Sequence, residues 1–299
     1  MPTPRLLDTM ISPSALLSWF DIHERDLPWR RPGTTAWGVL VSEVMSQQTP
    51  VARVAPTWQE WMQRWPDPHS FAQASRAEVL RAWGKLGYPR RALRLWECAQ
   101  KIDSDFAGIV PSEVDTLTSL PGIGDYTARA VACFHYQRNV PVVDTNVRRV
   151  YARAIDARFL APQPSKKELA AVAALLPEDQ GPRFSAALME LGALVCTARS
   201  PRCEDCPLKD SCAWQRAGKP EPSAEEKEKA KARVQKFAGT DRQVRGLILD
   251  VLRGASAPVP KSRIDVVWPD AAQLSRALAS LVDDGLAEQD SNGEFVLPS

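Results

Sequence analysis

Apolar residues recur at helical spacing along most of the chain, and the clearest stripe begins at Trp37. The apolar side chains at positions 37, 40, 41, 44 and 45 would lie on one buried face of a helix. A similar stripe runs along residues 11–23, where Ser12 marks the start of a helix. Further amphipathic stretches fill residues 57–110 and 147–159. These stretches predict that the first part of the chain is largely helical.

The pattern changes in residues 241–299. Two helical stripes are followed by two short segments of strand type, Leu286–Glu288 and Glu294–Leu297, with a turn sequence between them. This order predicts a small winged-helix-like α+β module, joined to the rest by a charged linker over residues 217–240. The module holds 6 Lys and Arg against 9 Asp and Glu. Because it is acidic, we expect it to dock on a protein partner or on the main domain rather than to bind DNA strongly.

Composition limits the class of protein. The 299 residues are 44% hydrophobic and 25% charged, as in ordinary globular proteins, and no apolar run approaches 18 residues. The N-terminus lacks the order of a signal peptide, so we expect a cytoplasmic protein without a membrane segment. The net charge is +2, and residues 1–240 carry 32 basic against 27 acidic side chains. This mild excess is compatible with local phosphate contacts but does not by itself indicate nucleic acid.

A glycine-containing turn precedes one of the predicted helices. Gly122 and Gly124 flank Ile123, directly after Leu120-Pro121, and would let the backbone approach a ligand closely. Free N–H groups at the start of the next helix form an anion site that suits a phosphodiester. The turn is therefore predicted to be a helix-hairpin-helix DNA clamp.

Glu43 lies at the margin of the buried face that begins at Trp37. A carboxyl group there is partly desolvated, which raises its pKa and lets it hold a proton near neutral pH. The amides of Gln47 and Gln48, followed by Thr49, suit contacts with base edges and with the duplex backbone.

Two loops carry aromatic and basic residues. Residues 25–32 place Trp29 among three arginines, which could form a charged stacking surface. Residues 84–92 contain two glycines and a proline, together with Leu86 and Tyr88. Exposed Leu and Tyr side chains on a basic loop are candidates to wedge into a base stack.

Four cysteines fall within 17 residues. Cys196, Cys203, Cys206 and Cys212 indicate a metal site, because disulfides would be reduced in the cytoplasm. Zinc sites usually pair two short Cys-x2–4-Cys units, and this sequence has only one. The spacing therefore favours four thiolates around a [4Fe–4S] cluster, while zinc stays open as the alternative.

Taken together, these motifs resemble the endonuclease III superfamily of helix-hairpin-helix glycosylases, and within it the adenine DNA glycosylases of the MutY type. The resemblance covers about residues 12–216. It includes Leu27-Pro28-Trp29, Ser42-Glu43 with Gln47-Gln48-Thr49, Leu86-Gly87-Tyr88, the glycine turn, Asp144 with Asn146, and the four cysteines, all in family order.

The resemblance implies a two-lobed all-α fold over residues 1–216, with a six-helix lobe at about 29–143 and a [4Fe–4S] cluster lobe from 1–28 and 144–216. It implies a monomer that acts on duplex DNA containing adenine opposite 8-oxoguanine or guanine, after the target nucleotide leaves the stack. Glu43 would protonate adenine at N7, and Asp144 would stabilise the oxocarbenium-like sugar.

The family pattern also implies roles for the remaining residues. Tyr126 and Asn146 would assist in positioning, and Tyr126 replaces the lysine of the strand-cleaving relatives, which predicts base release without a lyase step. The base pocket would be lined by Arg25, Leu27, Trp29, Arg30 and Glu190. The expected DNA contacts are Gln47, Gln48, Thr49, Leu86, Tyr88, Gly122, Ile123 and Gly124, and the cluster ligands are Cys196, Cys203, Cys206 and Cys212.

One departure and two alternatives stay open. Residues 217–299 are too short for the 8-oxoguanine-reading domain of many adenine glycosylases, and none of the three histidines lies in a Phe-Ser-His element. The nearest alternative is a mismatch thymine or uracil glycosylase of the same superfamily. Another is a non-catalytic iron–sulfur DNA sensor, in which Glu43 and Asp144 would be dispensable.

Overall fold

A computed structural model describes residues 11–232 and 237–299, and most of this structure is helical. The helices are α1 (Pro13–His23), α2 (Ala36–Ser46), α3 (Val51–Arg64), α4 (Pro68–Ala72), α5 (Arg76–Trp83), α6 (Arg90–Phe106), α7 (Val114–Thr118), α8 (Asp125–Phe134), α9 (Thr145–Ala154), α10 (Lys166–Ala173), α11 (Gly181–Leu194), α12 (Ala213–Arg216), α13 (Ala224–Ala232), α14 (Asp241–Gly254), α15 (Lys261–Asp265) and α16 (Ala271–Asp283). The strands are β1 (Glu288–Gln289) and β2 (Phe295–Val296). Residues 1–10 of the expected cluster lobe and 233–236 of the expected linker lie outside the described residues.

The first compact unit comprises residues 11–36, 112–115 and 124–232. Its core forms where α1 and α9 pack against α11. Helix α1 begins as the sequence predicts, because the Ser12 hydroxyl accepts a hydrogen bond from the backbone N–H of Ala15. The buried side chains of this core include Leu16, Phe20, Val147, Phe184 and Leu188.

Helix α8 belongs to the first unit as well. Ala130 and Cys133 of α8 are fully buried with Val142, and Met189 of α11 packs against them. Helix α11 therefore holds α8 in the first unit through apolar contacts.

The second compact unit comprises residues 37–111, 116–123 and 237–299. Aromatic rings fill its core: Trp61 lies 5.1 Å from both Trp65 and Phe71, and 5.7 Å from Trp83, measured between ring centroids. Such tilted and edge-on pairs stabilise a core beyond the area that they bury. The face predicted from position 37 is buried here, since Trp37 also packs against Phe71.

The C-terminal module forms the predicted α+β structure. Helices α14 and α16 pack together, and β1 pairs with β2 in antiparallel register, with Gln289 opposite Phe295. Each strand has two residues, and the backbone of Val259 adds a bridge to Phe295 that the sequence pattern did not predict. This arrangement confirms the fold class expected for the module.

The module docks on the chain's own helix α5. Arg76 lies 3.3 Å from the carboxylate of Glu288 and donates to the carbonyl oxygen of Ser299 at 2.7 Å, while Arg253 donates to the carbonyl oxygen of Leu80 at 3.0 Å. Docking on the main domain was one of the two possibilities that its acidic charge predicted.

Helix α13 lies within the expected charged linker. None of its side chains is buried, and its charges pair locally, as between Lys229 and Glu225. No helix in the described ranges has both the length and the apolar character needed to cross a membrane.

Candidate active site and nucleic-acid interface

Asp144 caps the N-terminus of α9. Its carboxylate accepts hydrogen bonds from the backbone N–H groups of Asn146 at 2.8 Å and Val147 at 2.7 Å, and from the Asn146 amide at 2.7 Å. Burial raises the pKa of Asp144 above its usual range, and these three bonds together with the charge of Arg149 oppose that rise. The structure thus brings Asp144 and Asn146 together, and the three hydrogen bonds and Arg149 offset part of the effect of burial.

The position of Asn146 depends on a glycine that the sequence analysis missed. A Cβ atom added at Gly192 would lie 2.6 Å from the Cβ and 2.9 Å from the Cα of Asn146. Only glycine therefore lets α11 approach the start of α9 this closely. A lone glycine inside a helical stripe gave no signal of this contact in the sequence.

Arg149 joins this site to the first cysteine. Its guanidinium donates to the side-chain oxygen of Asn146 at 2.6 Å, to the carbonyl of Gly192 at 2.7 Å and to the carbonyl of Cys196 at 2.7 Å. The same side chain therefore fixes the Asn146 amide and the start of the cysteine loop.

Glu190 is the acidic centre of the expected base pocket. It has no exposed surface, and it accepts three hydrogen bonds from Arg25, at 2.7 to 2.9 Å, and one from Arg30 at 3.1 Å. Burial would raise the pKa of Glu190, but the hydrogen bonds and charges of the two arginines outweigh it and hold that pKa below its usual range. Of the pocket residues expected from the sequence, these three form one ion-paired group.

The neighbouring residues of the expected pocket lie in or next to a short 3-10 turn, Pro28–Arg30. Leu27 is buried and Trp29 is half-buried. The buried Nη1 atom of Arg30 has no hydrogen-bond partner among the described residues, and Glu24 lies 3.8 Å away. This nitrogen thus takes part in an ion pair with Glu24 but in no hydrogen bond among the described residues.

The glycine turn contains a left-handed residue and leads directly into α8. Gly122 has a φ of 74°, and a Cβ there would lie 2.7 Å from the Cβ of Arg94, while Gly124 is the N-cap residue of α8. Both glycines are exposed, but Ile123 is 5% exposed. The Ile123 side chain is thus a core anchor, and any contact of this residue with a ligand would involve its backbone.

Tyr126 lies in the first turn of α8 and is half-buried against Ala130, Cys133 and Val142. Its ring is therefore held by the core of the first unit, one turn from the exposed glycines.

Glu43 is half-buried on α2, as its position at the margin of the apolar face predicts. Gln47, Gln48 and Thr49, which follow α2, differ in how far they are exposed. Gln48 is exposed in a left-handed backbone conformation with a φ of 54°, and Gln47 is half-buried. Thr49 is 6% exposed, and its hydroxyl donates to the carbonyl of Leu86 at 3.0 Å.

The loop of residues 84–89 was expected to expose both Leu86 and Tyr88, and for Leu86 this was wrong. Leu86 is 5% exposed, because Thr49 and Arg91 both bind its carbonyl group and its side chain enters the core. Tyr88 is 37% exposed at a φ of 48°. Of Leu86 and Tyr88, Tyr88 is thus the one with an exposed side chain.

Arg91 organises this region and was missed by the sequence analysis. Its guanidinium donates to the carbonyl groups of Val44, Met45, Leu86 and Gly87 and to the Thr49 hydroxyl, at 2.7 to 3.3 Å. Burial lowers the pKa of Arg91 to about 10, so that it keeps its charge at neutral pH. It ties the end of α2 to the loop that carries Tyr88.

The four clustered cysteines come together beside Arg153. Cys212 is buried in the core of the first unit, and the other three pack against that core. Burial raises the pKa of the Cys206 thiol to about 12, and the charges of the other three thiolates contribute to the rise. Arg153 is 2% exposed, and it donates to the sulfur of Cys196 at 3.3 Å and to the carbonyl of Thr197 at 2.7 Å.

The donor set fits a multi-iron group. Four cysteine side chains lie at one core, and the buried cation Arg153 beside Cys196 would offset the charge of their thiolates. Four thiolates are the donor set of an iron–sulfur cluster.

Comparison with known proteins supports the same class. Residues 41–177 match the HhH-GPD superfamily base excision DNA repair proteins, and residues 196–212 match the iron–sulfur binding domain of endonuclease III. The chain is 61% identical over 289 residues to an adenine DNA glycosylase of Mycolicibacterium smegmatis, covering 96% of each chain. It is also 30% identical over 205 residues to a thymine-DNA glycosylase of Aeropyrum pernix, covering 67% of this chain and 92% of the relative.

A solved structure agrees on the fold. The chain superimposes on a thermostable thymine-DNA glycosylase with a TM-score of 0.64 at 24% identity, over 70% of this chain and 97% of that one. Fold and site thus define a helix-hairpin-helix DNA glycosylase of base excision repair, with a [4Fe–4S] cluster as its cofactor. The chain belongs to the adenine DNA glycosylase family.

Proposed function

We propose that the protein hydrolyses the N-glycosidic bond of adenine mispaired with 8-oxoguanine or guanine in duplex DNA, and that it leaves the strand intact. The observation that carries this proposal is the half-buried Asp144 side chain, held by hydrogen bonds at the start of α9 in a chain that resembles an adenine DNA glycosylase over nearly its whole length.

The two carboxyl groups have different environments. Glu43 is half-buried on an apolar helix, a setting that suits a general acid, and would deliver a proton to N7 of the extruded adenine. Asp144 accepts three hydrogen bonds and would stabilise the positive charge that develops on the sugar as the bond from C1′ to N9 breaks. Water then adds at C1′ and gives one proton back to the Glu43 carboxylate, so that the products are free adenine and an abasic site.

The base pocket is proposed to be built on the group formed by Arg25, Arg30 and Glu190. The ion pairs hold both guanidinium groups in place, and the Nη1 atom of Arg30, which makes no hydrogen bond among the described residues, would donate to a ring nitrogen of the base. Leu27 and Trp29 supply apolar surface beside it.

Contacts with the duplex are proposed for two surfaces. The backbone of Gly122, Ile123 and Gly124 at the start of α8 would bind a phosphate. Gln48 and Tyr88, both exposed and both in left-handed conformations, would contact the bases around the extruded nucleotide. Strained backbone at exposed positions is typical of functional sites.

The proposed cluster ligands are Cys196, Cys203, Cys206 and Cys212. When bound, the cluster would stabilise the loop of residues 197–211. Arg153 would offset the negative charge of the thiolates, and Arg149 would hold the Cys196 backbone. Four reduced thiolates suit a cytoplasmic protein, and we propose that it works there as a monomer.

The second candidate is excision of thymine or uracil, and the observation that favours it is the 30% identity to the thymine-DNA glycosylase. The two candidates separate in one experiment. Duplexes with A:8-oxoguanine, A:G, T:G and U:G pairs are incubated with the protein, treated with alkali and resolved by length. We expect cleavage at adenine alone; cleavage at T:G or U:G without cleavage at adenine would establish the alternative.

A further inference from the structure

The C-terminal module reaches the loop of residues 84–89 through one arginine. Arg242, in the first turn of α14, donates a hydrogen bond from Nη1 to the hydroxyl oxygen of Tyr88 at 2.5 Å. Its guanidinium carbon also lies 5.4 Å from the centre of the Tyr88 ring, within the range of a cation–π interaction. The two residues are 154 positions apart in the sequence.

Tyr88 needs support from outside its own loop. Its backbone has a φ of 48°, which residues other than glycine adopt rarely, and its side chain is 37% exposed. A strained conformation persists only where the surrounding structure fixes it. Loss of a contact to Tyr88 is therefore expected to change the population of its conformers.

Two cations hold the ring. The guanidinium carbon of Arg91 lies 5.7 Å from the ring centre, and that of Arg242 lies 5.4 Å from it. Arg242 is itself placed over the ring of Phe237 at 5.2 Å. Of these two cations, Arg242 alone belongs to the C-terminal module.

Opposite charges fix the module on both sides of Tyr88. Lys85 lies 3.4 Å from Asp250 of α14, and Arg90 lies 3.2 Å from Asp284. Arg245 of α14 binds the same Asp284 at 2.5 Å. Exposed ion pairs contribute little individually, but this set orients α14 against the loop and so directs Arg242 at Tyr88.

We propose that Arg242 is a positioning residue that holds Tyr88 in its DNA-binding orientation before the duplex arrives, so that the C-terminal module contributes to mispair recognition without touching the base. This inference rests on the proposed function, in which Tyr88 enters the duplex. A side chain ordered in advance loses less conformational freedom on binding, which strengthens binding to the mispair.

A measurement without DNA tests the contact itself. The chain has four tyrosines, so the full-length protein labelled with 3-fluorotyrosine gives four ¹⁹F signals, and Tyr88→Phe identifies the one that belongs to Tyr88. We expect Arg242→Ala to shift or broaden that signal alone. Arg263→Ala is the matched control, because Arg263 is an exposed arginine of the same module. An unchanged Tyr88 signal in Arg242→Ala would overturn the proposal, as would equal changes in all four signals.

A second measurement tests the consequence for recognition. The dissociation constant for a duplex with A:8-oxoguanine, made uncleavable at the adenosine, is expected to rise about tenfold in Arg242→Ala, and to recover in part in Arg242→Lys. Arg263→Ala should bind as the wild type does.

The double variant Arg242→Ala with Tyr88→Phe should bind no worse than the weaker single variant, because both changes remove the same hydrogen bond. Additive losses would overturn the proposal. If the wild type releases no adenine from any mispair, the proposed function fails, whereas an active wild type with unaltered binding in Arg242→Ala refutes the positioning role alone.

Discussion

Gly192 and Asn146 lie so close that a single methyl group between them would reach 2.6 Å from the Asn146 Cβ. Gly192→Ala should therefore push Asn146 and, through its hydrogen bond, the Asp144 carboxylate out of place. Overpacking of this kind costs about 1–3 kcal/mol of unfolding free energy. We expect base release in single turnover to slow by more than about tenfold.

The matched control for that change is Gly246→Ala. Gly246 also lies inside a helix, α14, but a Cβ there would meet no atom within 4 Å. Alanine should stabilise this helix by about 0.5–1 kcal/mol and leave the rate unchanged. Equal rates of base release for Gly192→Ala and the wild type would show that Asn146 can shift without slowing the reaction.

Glu43→Gln tests the general acid. The amide keeps the shape of the side chain but has no acidic proton to deliver, so binding of mispaired DNA should persist while base release falls by about 10²–10⁴-fold. Single-turnover rates and a binding assay separate the two effects. Glu60→Gln, at an exposed position on α3, is the control; a fall of less than about tenfold would exclude Glu43 as the acid.

Tyr126 predicts that the wild type makes no covalent adduct with DNA. A phenol cannot form an imine with the abasic aldehyde, so borohydride added during turnover should trap little protein, and strand breaks should require alkali. Tyr126→Lys should increase trapping, because this position already faces the sugar in the proposed complex. Rapid stoichiometric trapping of the wild type would contradict the assignment.

The ion pairs of Glu190 predict a pH-dependent stability. Because the folded protein lowers the pKa of Glu190, its contribution is complete above the unfolded value of about 4.3 and disappears as the pH falls through the lower folded value. Glu190→Gln should cost about 3 kcal/mol at pH 7, since it removes the buried negative charge that pairs with Arg25 and Arg30. Urea unfolding of both proteins should show this difference shrinking below about pH 4.3. A constant difference between pH 7 and pH 3 would mean that the carboxylate charge is not the cause.

From the contacts of Arg153 we predict that this residue helps the protein to retain its iron–sulfur cluster. Arg153→Met removes the charge beside Cys196 and the hydrogen bonds to Thr197 and Ala198, so the iron content of the purified protein should fall well below that of the wild type. Colorimetric iron analysis and the brown absorbance band measure it. Arg199→Met, at an exposed site on the same loop, should keep its iron.

The sequence predicted the parts of the site that depend on local patterns. The glycine turn and the half-buried Glu43 follow from residues close to one another in the chain, whereas Asp144 and Asn146 were expected only from the family resemblance. Local patterns cannot tell a buried arginine from a solvated one, so the roles of Arg91 and Arg153 were missed.

Side-chain direction within loops was equally hard to predict. Leu86 and Ile123 lie in loops with a glycine on one side or on both, where the apolar side chain can turn either outward or into the core. In this structure both side chains are buried in the core. The contact between Arg242 and Tyr88 joins residues 154 positions apart and leaves no periodic trace in the sequence.

Helix α11 carries Glu190 and Gly192 and leads directly into Cys196, whose backbone N–H still bonds to the carbonyl of Leu191 at 2.8 Å. Each residue added to a helix rotates everything beyond it by about 100° and advances it by about 1.5 Å. An insertion between Glu190 and Gly192 would rotate Gly192 about the helix axis relative to Glu190. Glu190 in the proposed base pocket and Gly192 beside Asn146 could then not both keep their contacts, and Cys196 would move away from Arg149. The number of residues between these positions is therefore fixed more strictly than the identity of the side chains between them, and this stretch of the chain should tolerate substitutions far better than any change in its length.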